Sequence, residues 1–358
     1  DVLRRHGYRT VFVQGSSCKV TSMGYFFRTH GFDEVICRDA IDAAWPGRKL
    51  GFWGLYDRDL LVYAERQVQR LERQRDGDGR PYFLVVVTLD PHEPGMGPPD
   101  ALETFRRHLV DPGIEEVPDD EAAHKLLASY HSSDQALGRW GRFLLSAERK
   151  RTTMSLLTTD HAAFRNLVTN TIFHDKTDNR SFDHVPFLIH DPLHVLPPRL
   201  EVLSGTTDLA PTLLHLLGMT EGLTSMTGKS IFGRRRAEPV LVGRIGLRYA
   251  YLHGGQADID IPIGVLRERC QQGERLLPDG DEPLSACALV AWIDWTDKLW
   301  AARRLFPASV YFGDQGVDKF KLAMEMYENR AERRLRKQVG DDPGHEARKK
   351  AVDMEVER

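Results

Sequence analysis

Asp160-His161 places a carboxylate next to an imidazole, directly after Ser155-Leu156-Leu157-Thr158-Thr159, a segment with the composition of a short strand. Two such side chains at the end of a strand can bind one cation together. The same dipeptide would serve equally well as a helix N-cap and its neighbour, which requires no function. The pair alone therefore gives a hypothesis of metal binding, with a capping role as its alternative.

His92 is a second candidate, because it lies in Pro91-His92-Glu93-Pro94 and the two prolines restrict the direction of its imidazole. A histidine held beside a metal can donate a hydrogen bond to an anionic ester oxygen or protonate a leaving group. The alternative is an exposed loop histidine. For His92 taken alone, that alternative is favoured.

Lys176 is a third candidate, in His174-Asp175-Lys176-Thr177-Asp178. Its ammonium group could neutralise a bound sulfate or phosphate as a point charge. A solvated loop lysine is the favoured alternative. The run Arg234 to Arg236 could likewise bind a phosphorylated surface, although a solvated linker is the simpler interpretation.

The elements that must position these residues follow an α/β pattern, in which short apolar runs alternate with segments of helical period. The predicted strands are Thr10 to Val13, Tyr82 to Leu89, Met154 to Thr158, Val185 to His190 and Pro239 to Val242. Ligands of open parallel sheets bind outside the carboxyl ends of the strands. The polar residues at those ends should therefore converge on one crevice: Gln14, Asp90, His92, Asp160 and His161.

Two features of this pattern make specific predictions. The run from Tyr82 to Leu89 does not alternate apolar with polar residues, which predicts a strand buried on both faces and central in the sheet. Apolar residues three and four apart predict covering helices over Leu60 to Leu71, Leu126 to Leu144 and Leu209 to Leu217. The last should begin at Thr207 or Asp208 and end at Gly218.

Composition limits the class of protein. The chain has 358 residues, is 41% hydrophobic and carries a net charge of -3, so no global charge favours nucleic acid or an anionic membrane. The four cysteines are too sparse for a disulfide framework or a zinc cluster and do not decide the compartment. No apolar run is long enough for a membrane helix, and because the sequence starts without a methionine or a recognisable signal-peptide pattern, a processed or truncated product is one expectation.

Changes in composition along the sequence suggest three regions: a large α/β domain over residues 1–235, a small α+β region over 236–316 and a charged helical tail over 317–358. Arginines in the tail raise the alternative of a nucleic-acid module. Interleaved acidic residues and the near absence of aromatic residues favour a solvated or partner-binding helix instead. We therefore expect no nucleic-acid partner.

Several further motifs occur in an order that carries a family resemblance. They are Gly31-Phe32-Asp33, Trp53-Gly54-Leu55-Tyr56-Asp57, Thr88 to Pro94, Tyr130 to Gly138, Thr158 to His161, Val185 to Ile189 and Thr207 to Gly218. This order resembles the catalytic domain of lipoteichoic acid synthases and related phosphoglycerol transferases, and Pro-His-x-Pro at 91–94 resembles sulfatases. Both groups belong to the alkaline-phosphatase superfamily.

The resemblance implies an alkaline-phosphatase-like fold, with a mostly parallel sheet flanked by helices. It implies that Asp160 and His161 bind one divalent metal (manganese, calcium or magnesium) and that His92 contacts the sulfate or phosphate of the substrate. Lys176 lies about where sulfatases carry a substrate-contacting lysine. Several motif residues are interpreted as architectural: Trp53, Asp57, Asp134, Pro186 and Asp208.

The resemblance also implies an enzyme that hydrolyses or transfers a small-molecule, glycan-linked or lipid-linked sulfate or phosphate ester. Two departures matter: Ala162 replaces the glycine that usually follows the Asp-His pair, and no Cys- or Ser-x-Pro-x-Arg signature occurs. In this family the nucleophile and remaining metal ligands come from an N-terminal segment that we expect to be missing here. The alternative is a family member without a nucleophile that acts as a binding or scaffolding protein.

The location implied by the resemblance is extracytoplasmic or membrane-associated. Any membrane contact would be made through the missing N-terminal region.

Overall fold

The computed structural model describes residues 2–19, 23–92, 95, 97–108, 120–161, 185–202, 204–219, 226, 228–233, 241–245, 249–254, 257–274, 286–287, 289–291 and 293–294. The helices are α1 (Val2–Arg5), α2 (Met23–Thr29), α3 (Arg38–Ala44), α4 (Asp57–Asp78), α5 (Ala101–His108), α6 (Glu121–Leu144), α7 (Leu209–Leu216) and α8 (Ile263–Gln271). The strands are β1 (Arg9–Gln14), β2 (Glu34–Ile36), β3 (Tyr82–Val87), β4 (Ser155–Thr158), β5 (Phe187–His190), β6 (Leu241–Ile245), β7 (Tyr249–Gly254) and β8 (Ala257–Pro262).

A parallel sheet with the order β2-β1-β3 forms the centre of the fold. Val11 and Val13 of β1 are fully buried on one face, in a cluster with Ile41 of α3 and Leu60 of α4. Phe12 points to the other face, where its ring stacks on Phe27 of α2 at a centroid distance of 3.9 Å. Helices therefore cover both faces, which confirms the predicted parallel sheet flanked by helices.

The prediction that Tyr82 to Leu89 is buried on both faces and central in the sheet is wrong in both parts for the described strands. The strand ends at Val87, pairs with β1 only, and all six of its residues keep partial exposure, whereas β1 pairs on both sides. The physical reason is that an uninterrupted apolar run predicts only that both faces of a strand contact other parts of the protein. It carries no information about whether hydrogen-bonded neighbours lie on both of its edges.

The helix predictions are confirmed in type. The predicted apolar face of α4, including Leu60, Val68 and Leu71, is buried. The helix α6 begins at an N-cap, Asp120, whose carboxylate accepts a hydrogen bond from Ala123 N at 2.8 Å. At the end of α7, Gly218 has φ 69°, the left-handed conformation that favours glycine as a helix terminator.

The start of α7 differs from the prediction. A short 3-10 turn, Thr206–Asp208, precedes the helix. Asp208 makes no side-chain hydrogen bond as an N-cap of α7. Its carboxylate accepts instead from Gly205 N at 3.1 Å and from Lys229 N at 2.8 Å. Asp208 thus ties two loops together.

Outside the parallel sheet, the described strands pair antiparallel. The strands β4 and β5 pair from Ser155↔His190 to Thr158↔Phe187, and β6, β7 and β8 form a meander. The predicted strand Pro239 to Val242 corresponds to β6, which runs from Leu241 to Ile245. A small core joins Ile261 and Leu266 to Ala286, Leu289 and Ile293.

The proposed boundaries at residues 235 and 316 remain predictions, and the tail lies outside the described residues. Among the described helices, none is long and apolar enough to cross a bilayer.

All four cysteines are paired, Cys18 with Cys37 and Cys270 with Cys287. The first disulfide joins the loop after β1 to the start of α3, and the second joins α8 to the segment at Ala286. Neither pair is predictable from the sequence alone, because spacings of 19 and 17 residues carry no recognisable disulfide pattern.

We expect the double variant Cys18→Ser/Cys37→Ser to lose about 3 kcal/mol of unfolding free energy, the cost of leaving a loop of this size unlinked in the unfolded chain. Urea unfolding followed by circular dichroism measures the loss. The wild type under a reducing agent is the control, and its stability should fall at least as far. Equal stability of the oxidised wild type and the variant would contradict the assignment of this disulfide.

Candidate active site

His92 and His161 lie next to each other although they follow different strands. His92 is in the turn after β3 and His161 in the turn after β4. Their ring centroids are 6.1 Å apart and the rings are nearly perpendicular. The structure therefore brings together the predicted substrate-contacting histidine and the predicted metal-binding pair.

The atoms of Asp160 and His161 that could bind a metal lie on the same side of the turn. His161 Nε2 lies 3.7 Å from Asp160 Oδ2, and both side chains are substantially exposed. The other carboxylate oxygen, Asp160 Oδ1, accepts a hydrogen bond from His161 N at 3.1 Å, which fixes the carboxylate in this direction.

These two residues fit a divalent cation as part of its ligand set. Oxygen and nitrogen ligands bind at about 2.0–2.2 Å from such an ion, so two of them can be at most about 4.4 Å apart. The separation of 3.7 Å lies within that limit. Among the described residues no group of three or more His, Cys, Asp or Glu is arranged to hold a metal ion.

Trp53 fixes the position of His92. Its indole Nε1 donates a hydrogen bond to His92 O at 3.3 Å, and the two rings are 4.7 Å apart in an edge arrangement. Gly95 N donates to the same carbonyl oxygen at 3.0 Å. From the sequence, Trp53 is predicted only to be a packing residue, because no local pattern reveals a contact that spans 39 positions.

A close backbone approach holds the loop that carries Trp53. Leu55 N donates to Gly15 O at 2.9 Å. A Cβ on Gly54, whose φ is 136°, would lie 2.2 Å from Gly15 O, and a Cβ on Gly15 would lie 2.8 Å from Leu55 O. Neither position has space for a side chain, so the loop after β1 lies directly against the residues that flank Trp53.

Two of the polar strand-end residues do not join the site. Gln14 is buried, and its Nε2 donates to Ser17 O at 3.0 Å, inside the loop that follows β1. Asp90 is also buried, and its Oδ2 accepts from Asp57 N at 3.0 Å at the start of α4. The predicted convergence of all the strand-end residues is wrong for these two, because each satisfies a nearby backbone group. Lys176 and Ala162 lie outside the described residues.

Asp57 and Asp90 form a buried pair of carboxyl groups beside the His92 turn. Burial and the neighbouring charge of Asp57 raise the pKa of Asp90 to about 8. Burial also raises the pKa of Asp57, but this is opposed by hydrogen bonds from Ser133 Oγ and from the amides of Leu89 and Asp90. Since Asp57 accepts three donors, the charge belongs on Asp57 and the proton on Asp90 at neutral pH.

The sequence of the chain is similar to that of known phosphoglycerol transferases. Phosphoglycerol transferase I of Xanthomonas campestris pv. campestris is 29% identical to the chain over 222 residues, which cover 61% of the chain and 28% of that protein. Phosphoglycerol transferase I of Salmonella arizonae is 24% identical over 241 residues, with coverage of 64% and 28%. The chain thus spans little more than a quarter of the length of these relatives.

Solved structures show the same fold. The lipoteichoic acid synthase LtaP of Listeria monocytogenes superposes with a TM-score of 0.57 at 15% identity, covering 83% of the chain and 71% of that protein. An alkaline phosphatase superfamily protein of Vibrio parahaemolyticus gives a TM-score of 0.50 at 22% identity, with coverage of 73% and 59%. The fold is therefore alkaline-phosphatase-like.

The family model described as "Sulfatase" matches residues 1–219, which include His92, Asp160 and His161. Since this match covers more than half of the sequence, the chain belongs to the sulfatase family.

Proposed function

We propose that the chain is part of a divalent-metal-dependent enzyme that transfers or hydrolyses a phosphate or sulfate ester. The observation that carries the proposal is the approach of His92 to Asp160-His161, at a centroid distance of 6.1 Å between the two histidine rings. A histidine beside a cation-binding pair is suited to binding the anionic oxygens of an ester. The relatives named phosphoglycerol transferase I favour a phosphodiester as the first substrate to test.

Each residue has a distinct role in this proposal. Asp160 and His161 hold the cation, which, when bound, stabilises charge on the ester oxygens and lowers the pKa of a coordinated nucleophile. His92 donates a hydrogen bond to a non-bridging oxygen or protonates the departing alkoxide. Trp53 keeps the backbone of His92 in place. Lys176 is retained as a proposed contact to the anion, and no described residue is assigned as the nucleophile.

We further propose that the protein acts outside the cytoplasm. The two disulfides support this location, because disulfides persist in oxidising compartments and are rare in reducing ones. The ester could be carried by a small molecule, a glycan or a lipid.

The test is a substrate panel on the protein at its natural length. We expect turnover of bis(p-nitrophenyl) phosphate or of phosphatidylglycerol in detergent micelles in the presence of Mn²⁺, loss of turnover with EDTA and recovery when Mn²⁺ is restored. Turnover of p-nitrophenyl sulfate alone would identify a sulfatase. Tight Mn²⁺ binding without turnover of any ester would contradict the enzyme and support the binding or scaffolding alternative.

A further inference from the structure

A buried set of hydrogen bonds joins the start of α4 to the peptide that precedes His92. Asp57 Oδ1 accepts from Leu89 N at 2.7 Å, and Asp57 Oδ2 accepts from Asp90 N at 3.2 Å. In return, Asp57 N donates to Asp90 Oδ2 at 3.0 Å. The exchange in both directions fixes the end of β3 against the first residue of α4.

The helix α6 completes this set. Ser133 Oγ donates to Asp57 Oδ2 at 2.7 Å. The exposure of Asp57 is 0%, and that of Asp90 and Ser133 is 3% each. Because water cannot replace a lost partner at such depth, removing the acceptor would leave backbone and hydroxyl donors unsatisfied. The local structure therefore depends on the Asp57 carboxylate.

One residue connects this carboxylate to His92. Leu89 donates its N–H to Asp57, and its carbonyl oxygen accepts from His92 N at 3.0 Å. The carbonyl of His92 is held from the other side by Trp53 Nε1 and by Gly95 N. The backbone of His92 is thus fixed at both its N–H and its C=O, and the imidazole is directed towards His161.

We propose that Asp57 is a positioning residue for His92, holding the Leu89-Asp90 peptide so that the imidazole faces the cation-binding pair. The proposal rests on the proposed function, in which His92 contacts the ester. Because Asp57 is fully buried, its role in this proposal involves no direct contact with the substrate or the metal. Its effect reaches the chemistry through the turn after β3.

A simple helix-capping role for Asp57 does not account for these contacts. All three donors that reach its carboxylate in the described structure, Leu89 N, Asp90 N and Ser133 Oγ, lie outside α4. The first amide of α4 is capped by Asp90 instead. The carboxylate of Asp57 therefore serves the His92 turn and α6, and the raised pKa of Asp90 leaves the negative charge on Asp57, where three donors stabilise it.

The variant Asp57→Asn tests the proposal in the protein at its natural length, because it keeps the shape but replaces one acceptor oxygen with an amide donor. Asp208→Asn is the control, since Asp208 also accepts two backbone N–H groups, from Gly205 and Lys229, and neither donor belongs to the His92 turn. The readouts are the imidazole signals of His92 in a histidine-selective NMR spectrum, the Mn²⁺ affinity, and kcat and KM for the phosphodiester.

We expect Asp57→Asn to shift the His92 signals and to lower kcat by about 100-fold, as a small misplacement of a catalytic group does, with the Mn²⁺ affinity unchanged. Asp208→Asn should lower the melting temperature only. Equal loss of stability in both variants, with the His92 signals unmoved, would show that Asp57 is merely structural and overturn the proposal.

Ser133→Ala provides a milder variant should Asp57→Asn fail to fold. It removes one of the three donors and leaves both backbone bonds to Asp57. We expect a smaller shift of the same His92 signals, and no shift would overturn the proposal. The NMR readout is independent of turnover, so absence of activity in the wild type would contradict the proposed function and leave the positioning role to be decided by the spectra.

Discussion

Replacement of Asp160 with alanine is expected to reduce turnover of a phosphodiester by on the order of 1,000-fold, about 4 kcal/mol, because the cation that stabilises the developing charge loses a ligand. The fold should persist, since 66% of the Asp160 side chain is exposed and its removal opens no cavity. Initial rates at saturating Mn²⁺ measure the effect on turnover. Bound metal is measured by mass spectrometry and folding by circular dichroism.

Asp191→Ala is a control for the loss of a histidine-paired carboxylate, and because the Asp191 side chain is fully buried we expect it to cost stability that Asp160→Ala does not. Asp191 also pairs with a histidine, with His194 Nδ1 2.7 Å from Asp191 Oδ2. It follows β5, whose last residue, His190, pairs with the first residue of β4, so Asp191 lies at the opposite end of that strand pair from Asp160. We expect Asp191→Ala to keep its metal content and turnover. Unchanged metal content in Asp160→Ala would refute Asp160 as a ligand.

The folded protein is expected to lose stability as the pH rises from about 4 to about 8, through the ionisation of Asp90. Asp90 has a pKa of about 8 in the folded chain, raised from 3.8 by burial and by the charge of Asp57. In this window the folded state keeps a proton that the unfolded state has released. The stabilisation by protonated Asp90 is therefore complete below pH 4 and is lost by the time the pH passes 8. The loss is about 1.4 kcal/mol per pH unit, on the order of 6 kcal/mol in total.

Asp90→Asn is the comparison that isolates this effect. Asparagine mimics the neutral acid, and its carbonyl oxygen can accept from Asp57 N. The other charged or titratable groups facing Asp90, namely Tyr56, Asp57, Arg58 and Asp59, are common to both proteins. Unfolding free energies from urea titrations at pH 5, 7 and 9 should fall more steeply in the wild type than in the variant. Parallel curves for the two proteins would show that Asp90 is ionised throughout.

The part of the site that the sequence could predict depends on one rule of topology. Parallel strands end at the same edge of their sheet, so His92 after one strand and Asp160-His161 after another could be expected to meet. They do meet, although β4 itself pairs antiparallel with β5. The same rule failed for Gln14 and Asp90, because it cannot tell a side chain that faces a crevice from one that bonds to a nearby backbone amide.

What the sequence could not predict depends on contacts between distant segments. Trp53 and His92 are 39 positions apart, and their contact requires the loop geometry set by Gly15 and Gly54. Asp57 has the position of a helix cap, and only the structure shows that its donors come from Leu89, Asp90 and Ser133. In each case the residue type was visible in the sequence and its partner was not.

The close approach of Gly15 and Gly54 has an evolutionary consequence. A Cβ at Gly54 would overlap the carbonyl of Gly15, and a Cβ at Gly15 would press on Leu55, so neither residue can be replaced while the other loop keeps its path. A copy of this gene that acquires a side chain at either position would have to move the loop that holds Trp53 against His92, even with Asp160 and His161 unchanged. Selection for catalysis should therefore preserve these two glycines together, and their loss would be an early mark of a copy that no longer turns over its substrate.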